Sequence, residues 1–175
     1  RGLGIVDEAE QELGGEAATR HGTNLPDVTV ESISRNGVGL KGPTATGIGV
    51  GLASANVAIR KRLDLYASLR PIKSVPSVKT RYENVDLIVV RENTEDLYAG
   101  LENLVAPGVV TSIKVITRRA SRRSSQFAFD HAVGWGRKKV TAVHKANIMK
   151  LSDGLFLDCA RRAAKPYAGR VAYDE

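Results

Sequence analysis

Residues Val85–Gly100 read VDLIVVRENTEDLYAG, and the rest of the chain can be read outward from them. Val85, Leu87, Ile88, Val89 and Val90 form an apolar run broken only by Asp86. A short run of β-branched and leucyl side chains fits a strand covered on both faces. The run stops at Arg91, and Glu92, Asn93, Thr94, Glu95 and Asp96 follow at once, with Tyr98 and Gly100 next. Ligand sites in open α/β sheets lie beyond the carboxyl ends of strands. Arg91 falls at such a place.

Upstream, Val6–Leu13 reads as a short helix that Gly14-Gly15 would stop, and Leu25-Pro26-Asp27 as the entry to a helix running to about Arg35. Asn36-Gly37 is a turn, and Val38–Lys41 a short strand candidate. Lys41–Gly51, KGPTATGIGVG, is rich in glycine and hydroxyls and precedes a helical pattern in which Ile59, Leu63 and Tyr66 fall at i, i+4 and i+7. Ser54 and Asn56 lie near that helix's start, where free N–H groups and the dipole favour an anion. Ser at a helix start is also an ordinary cap. The loop is neither a dinucleotide fingerprint nor a P-loop. Ala67–Arg70 reads as a strand that Pro71 ends, and 72–83 as loop.

Downstream, Leu101–Gly108 reads as loop, and Val109–Thr117 alternates as an antiparallel strand or arm does. Ala120–Trp135 is helical, Val140–Val143 a short strand ending at His144-Lys145-Ala146-Asn147, and Ser152–Ala164 a helix closed by Pro166. Val171–Tyr173 begins another strand. Short strands alternating with helices predict an α/β fold.

With 42% hydrophobic and 26% charged residues, the 175-residue chain can bury a core and is not of disordered type. No apolar run approaches the ~20 residues of a membrane span. The lone Cys159 excludes an internal disulfide and a cysteine-based zinc site and suits a reducing compartment. No targeting segment is evident, so the expected location is cytoplasmic, with the mitochondrial matrix as the alternative. The net charge is +7. Residues 111–145 hold nine basic side chains and one acidic. Such a surface is either simply solvated or a polyanion site. Few aromatics accompany it and no nucleic-acid motif is present, so a nucleic-acid partner is not expected.

Arg60, Arg70 and Arg91 could converge, and guanidinium forks hold carboxylates in a planar, bidentate way. Taken singly, each could equally be a surface ion pair. Tyr98 can act as a general acid, and Lys145 as a base if its surroundings lower its pKa. Glu92, Glu95 and Asp96 could hold Mg²⁺ or pair with arginines; nothing here resembles a dedicated metal loop.

The stretches KGPTATGIGVG, SANVAIRKRLDLYASLRP, TRYENVDLIVVRENTEDLYAGLE, ITRRAS and GRKKVTAVHKANIMKLSDGLF closely resemble the isocitrate/isopropylmalate dehydrogenase family, in order, from about Leu25 onward. Ser54-x-Asn56-x-x-x-Arg60 with Tyr98-Ala99-Gly100 resembles the isocitrate branch, since isopropylmalate enzymes place apolar side chains where Ser54 and Asn56 stand. The resemblance implies an incomplete large domain over 1–66 and a small domain over 67–175 with a β arm at about 97–117. It also implies metal-dependent oxidative decarboxylation of isocitrate to 2-oxoglutarate with NAD or NADP and Mg²⁺ or Mn²⁺. Ser54, Asn56, Arg60, Arg70 and Arg91 would hold the substrate's carboxylates. Tyr98 would protonate the enolate left after CO₂ departs. Lys145 would assist deprotonation of the hydroxyl in a partner subunit's site, and Thr46 and Asn147 would touch the nicotinamide side of the cofactor. The partner is a like subunit, in a homodimer or hetero-oligomer. A homoisocitrate-type decarboxylase and a non-catalytic regulatory subunit are the alternatives.

Two departures stand out. Family members commonly read Thr-Thr-Pro-x-Gly-Gly-Gly, usually with Arg before the Ser, where this chain has Thr44-Ala45-Thr46-Gly47-Ile48-Gly49-Val50-Gly51-Leu52-Ala53. Loss of the proline adds backbone freedom, and Ala53 removes a cation. The resemblance also implies a first strand before Arg1, and metal-binding aspartates and an adenine-binding loop after Glu175. The 175 residues are therefore expected to be an internal piece of such an enzyme, inactive alone.

Overall fold

The computed structural model describes residues 9–44 and 54–175. Contacts separate the chain into two units, Arg1–Leu65 and Tyr66–Glu175.

In the first unit, α1 spans Gly15–His21, α2 Asp27–Asn36 and α3 Ala55–Arg62. Leu25, Val30 and Ile59 are buried together, with Leu13, Ile33, Ala58 and Leu63 packed around them. Pro26 precedes α2, and Gly37 closes it in the left-handed region (φ 68°), returning its N–H to the Ile33 carbonyl at 2.8 Å. Two expectations fail here. Residues 9–13 are not helical, and the Gly14-Gly15 pair starts a helix instead of stopping one. Tertiary contacts override local preference: the Gly14 N–H bonds the Asn24 carbonyl, and Thr29 Oγ1 donates to the Glu12 carbonyl at 2.9 Å. Residues 6–8 lie outside the described residues. The strand expected at Val38–Lys41 is absent, and Val38 and Leu40 are exposed without a ladder to join.

The second unit opens with β1, Ala67–Lys73, antiparallel to β2, Asp86–Glu92. β1 runs through Pro71, contrary to expectation, and the pairing explains why. Ser74 N–H bonds the Val85 carbonyl, and Asn93 N–H bonds the Tyr66 carbonyl. Antiparallel pairs alternate between bonded and non-bonded, so Pro71↔Ile88 is a non-bonded pair. The missing N–H of Pro71 points away from β2, where an edge strand tolerates it. β2 is not covered on both faces: Ile88 and Val90 are half-buried, while Leu87 and Val89 on the other face are exposed. Tyr66 does not continue the α3 stripe either. It makes an edge-on contact with Phe127 and takes the Arg123 guanidinium at 4.6 Å.

β3, Asp96–Ala106, pairs antiparallel with β4, Val109–Val115. The loop expected over Leu101–Gly108 is thus mostly strand, because the pairs Leu101↔Ile113 and Leu104↔Val110 extend the ladder to a Pro107-Gly108 turn. Gly108 takes φ 78°, which Pro-Gly turns of type II require. α4 spans Arg118–Gly134, starting two residues early because Thr117 Oγ1 caps the Ala120 N–H. β5, Lys139–Thr141, is parallel to β6, Ala172–Asp174, and α5 spans Ser152–Ala164. Phe129 and Ala132 of α4 meet Ala163 of α5, Tyr167 and Val171 in one core, with Phe129 stacked on Tyr167 at 5.2 Å. The fold is α/β, as expected.

Phe129 is 1% exposed. Phe129→Ala is expected to lower stability by about 3–5 kcal/mol, through lost transfer energy and an unfilled cavity. Urea unfolding followed by circular dichroism checks this.

Candidate active site

Arg70 is not at a strand end; it lies in the middle of β1, opposite Val89, while Arg91 is next to last in β2, opposite Ser68. Side chains alternate faces along a strand, and directly opposed residues share a face. Ser68, Arg70, Val89 and Arg91 therefore stand on one face of the β1–β2 pair, the two arginines as diagonal neighbours. The Arg70 Nε–H donates to Ser68 Oγ at 3.2 Å. The Arg91 guanidinium lies over the Tyr98 ring, 4.5 Å from its centroid. Such stacking suits Arg, whose planar fork keeps its edge free for a carboxylate. The sequence thus brings Arg70, Arg91 and Tyr98 together.

The turn between Arg91 and Tyr98 is built by its own carboxylates. Glu92 accepts from the Thr94 N–H, the Thr94 hydroxyl and the Glu95 N–H. Glu95 accepts from the Thr117 N–H at 2.9 Å and from its hydroxyl at 2.5 Å. Asp96 accepts from the Leu97 N–H and takes φ 64°, which turns the chain into β3. Amides and hydroxyls thus engage both Glu92 and Glu95.

In the first unit, Asn56 and Arg60 are four residues apart on α3 and so share a helix face. Ser54 occupies the N-cap position, but its side chain makes no capping hydrogen bond. Asn56 Oδ1 is buried and has no hydrogen-bond partner among the described residues. A buried acceptor of that kind is costly unless a ligand or water meets it. Thr46 lies outside the described residues.

Lys145 and Asn147 are exposed and lie four and six residues beyond the end of β5, in a turn and not at the expected strand end. The Lys145 carbonyl accepts from the N–H groups of Ile148 and Met149 at 3.0 and 2.8 Å. The Lys145 N–H donates to Asp153 Oδ2 at 2.6 Å, and His144 Nδ1 accepts from the Ala146 N–H. Asp153, in the first turn of α5, is 5% exposed, makes no cap bond, and takes the Lys114 ammonium on Oδ1 at 2.6 Å. Sequence reading missed the Lys114–Asp153 pair, because 39 residues separate the two and no local pattern links them. Asp158 lies at the surface beside Arg162.

A cavity of about 850 Å³ in the second unit is lined by β2 together with Lys114, Phe129, Asp153 and Tyr173. Among the described residues no group of three His, Cys, Asp or Glu side chains is placed to hold a metal ion. Asp153, the one buried carboxylate among the described residues, is already engaged by Lys114 and the Lys145 amide. The described residues therefore do not make a divalent-cation site by themselves.

Residues 5–175 match the isocitrate/isopropylmalate dehydrogenase family. The chain belongs to that family. It is 52% identical over 163 residues to the mitochondrial NAD isocitrate dehydrogenase catalytic subunit 6 of Arabidopsis thaliana, covering 93% of this chain and 44% of that protein. It is 54% identical over 151 residues to regulatory subunit 3 of the same organism's enzyme, covering 86% and 41%. It is 49% identical over 170 residues to the chloroplastic 3-isopropylmalate dehydrogenase of Solanum tuberosum, covering 97% and 47%. The crystal structure of isocitrate dehydrogenase from Methylococcus capsulatus superposes with a TM-score of 0.89 at 45% identity, covering 94% of this chain and 49% of that one. The chain spans about half the length of the relatives it matches.

Because Glu92 organises the turn that carries Tyr98 to Arg91, Glu92→Ala is expected to speed amide exchange at Thr94 and Glu95. The loss of hydrogen bonds to a charged acceptor should cost about 1–3 kcal/mol. Exchange measured by NMR and a denaturant midpoint read both effects.

Proposed function

We propose that the chain is part of an NAD-dependent isocitrate dehydrogenase and carries its substrate-carboxylate and proton-transfer residues. The observation that carries the reading is the shared face of Arg70 and Arg91, with the Arg91 guanidinium stacked on Tyr98. Two neighbouring guanidiniums suit a substrate with more than one carboxylate. In this reading Ser54, Asn56, Arg60, Arg70 and Arg91 hold the carboxylates of isocitrate, and the buried, unpartnered Asn56 Oδ1 is met by the substrate.

The reaction oxidises the substrate hydroxyl by hydride transfer to the nicotinamide, and loss of CO₂ then leaves an enolate. Lys145 assists removal of the hydroxyl proton, and Tyr98 supplies a proton to the enolate carbon. Asn147 touches the nicotinamide side. Relatives named for NAD favour NAD over NADP. The family reaction also uses Mg²⁺ or Mn²⁺, whose ligands the described residues do not supply.

The names of the Arabidopsis relatives place them in mitochondria, which favours the matrix over the cytoplasm for this chain. The partner is a like subunit, in a homodimer or in a hetero-oligomer of catalytic and regulatory chains. Leu104, Val105 and Val110 of the β3–β4 hairpin are 72%, 64% and 62% exposed, an apolar surface suited to such a partner. Val109 and Ile113 are exposed as well, and Val115 is half-buried. A regulatory subunit is the second reading, because one relative at 54% identity carries that name. Retention of both Tyr98 and Lys145 favours the catalytic one.

Isothermal titration with isocitrate and with 3-isopropylmalate separates the branches. The chain is expected to bind isocitrate more tightly, and Asn56→Leu to reverse or abolish the preference. Tighter binding of 3-isopropylmalate by the unaltered chain would assign it to the other branch. Incubated with isocitrate, NAD and Mn²⁺, the 175 residues alone are expected to form no reduced nicotinamide. The Lewis-acid contribution of a cation is several kcal/mol, and each ~1.4 kcal/mol lost costs about tenfold in rate.

A further inference from the structure

We propose that Asp153 is a positioning residue for Lys145, a buried carboxylate that fixes the lysine's backbone and ties it to the arm strand that returns beside Tyr98. The inference rests on the reading of Lys145 as a proton-transfer group. An aspartate in the first turn of a helix is ordinarily there for the dipole or the cap. Asp153 does neither job with its side chain: both oxygens leave α5, one to the Lys145 N–H and one to the Lys114 ammonium, each at 2.6 Å. Its own N–H donates to the Met149 carbonyl at 3.0 Å. The Lys145 main chain is thereby held on both sides, its N–H by Asp153 and its C=O by Ile148 and Met149. The point from which the flexible lysine side chain departs is fixed.

Lys114 carries the connection onward. It belongs to β4, its side chain is 19% exposed, and its ammonium also lies 3.9 Å from Asp96 Oδ2. Asp96 starts β3 two residues before Tyr98, so the chain of contacts from Lys145 through Asp153, Lys114 and Asp96 ends beside the proposed acid. Lys114 and Asp153 line the same cavity as Arg91. Groups facing Asp153 are Lys114 from β4, with Asp96 behind it, and His144 and the Lys145 amide from the turn. Burial alone would raise the Asp153 pKa, but the hydrogen bonds from Lys114 and the Lys145 amide, with the charges of Lys114 and His144, outweigh it and hold it below the ordinary carboxylate value. The bridge is therefore intact above the ordinary aspartate pKa and is lost as pH falls through the lower folded one.

The test is an NMR pH titration of the 175-residue chain. The Lys145 amide proton and the Lys114 ammonium nitrogen should follow one shared transition below the usual aspartate range. In Asp153→Asn that transition should vanish and Lys145 amide exchange should rise at least about tenfold, while Asp153→Glu restores both. Exchange that rises equally along all of α5 would mark a merely structural role and overturn the proposal, as would an unchanged Lys145. If Asp153→Asn does not fold, Lys114→Met decides: it should move the Lys145 amide transition to higher pH, and an unmoved transition refutes the bridge. The catalytic reading fails separately, if Lys145→Met leaves turnover intact in the assembled enzyme, a result that would not alter the backbone titration.

Discussion

The second unit depends on the antiparallel register of two strands. From Tyr66↔Asn93 to Ser74↔Val85, the β1–β2 ladder fixes which side chains share a face. A slip of one residue would move Arg91 to the opposite face from Arg70 and break their adjacency. The ladder has little burial to pin it, since Leu69, Ile72, Leu87 and Val89 are all exposed in this chain. Its register is held at the ends instead. Ser74 Oγ accepts from the Val85 N–H, and Arg137, from beyond α4, grips both the carbonyl and the carboxylate of Asp86. The Arg137 hydrogen bond keeps the Asp86 carboxyl below its ordinary pKa despite some desolvation, so the clamp persists through neutral pH.

A division of labour among charges follows. The acidic residues after Arg91, and Asp153 of α5, serve the geometry. Glu92 folds its own turn, Glu95 ties that turn to the start of α4, and Asp153 binds two segments far apart in sequence. Arg70 and Arg91 are left with guanidinium edges that no carboxylate within the described residues is shown to occupy. In a chain of net charge +7, that arrangement gathers positive potential on one face of a narrow sheet. Under the proposed function, an anion with several carboxylates is the ligand for such a face.

Much of this was legible in the sequence, and the exceptions have physical causes. The apolar run before Arg91 announced β2, and Ser152 and Pro166 bracketed α5 to the residue. The α/β class followed from the alternation of elements. Pro71 misled because its effect depends on which pairs of the ladder are hydrogen-bonded, a property of the partner strand. Leu101–Gly108 was missed because a hairpin strand with apolar residues on both faces lacks simple alternation. The Gly14-Gly15 pair was misjudged because contacts with Asn24 and Thr29 decide the backbone there. Among the candidate site residues, the placement of Arg91 and Tyr98 close together was visible through local order alone. Asp153 and Lys114 were not, since their roles arise only when β4 and α5 meet.

The central claim is that Arg70 and Arg91 form one carboxylate-binding face. It is tested most directly by titrating isocitrate into chain labelled with ¹⁵N at arginine and following the Nε–H resonances. The account predicts that Arg70 and Arg91 shift together and saturate with a single dissociation constant, and that Arg91→Gln removes the response of Arg70. Arginine signals that stay still, or that respond with independent constants, would contradict it.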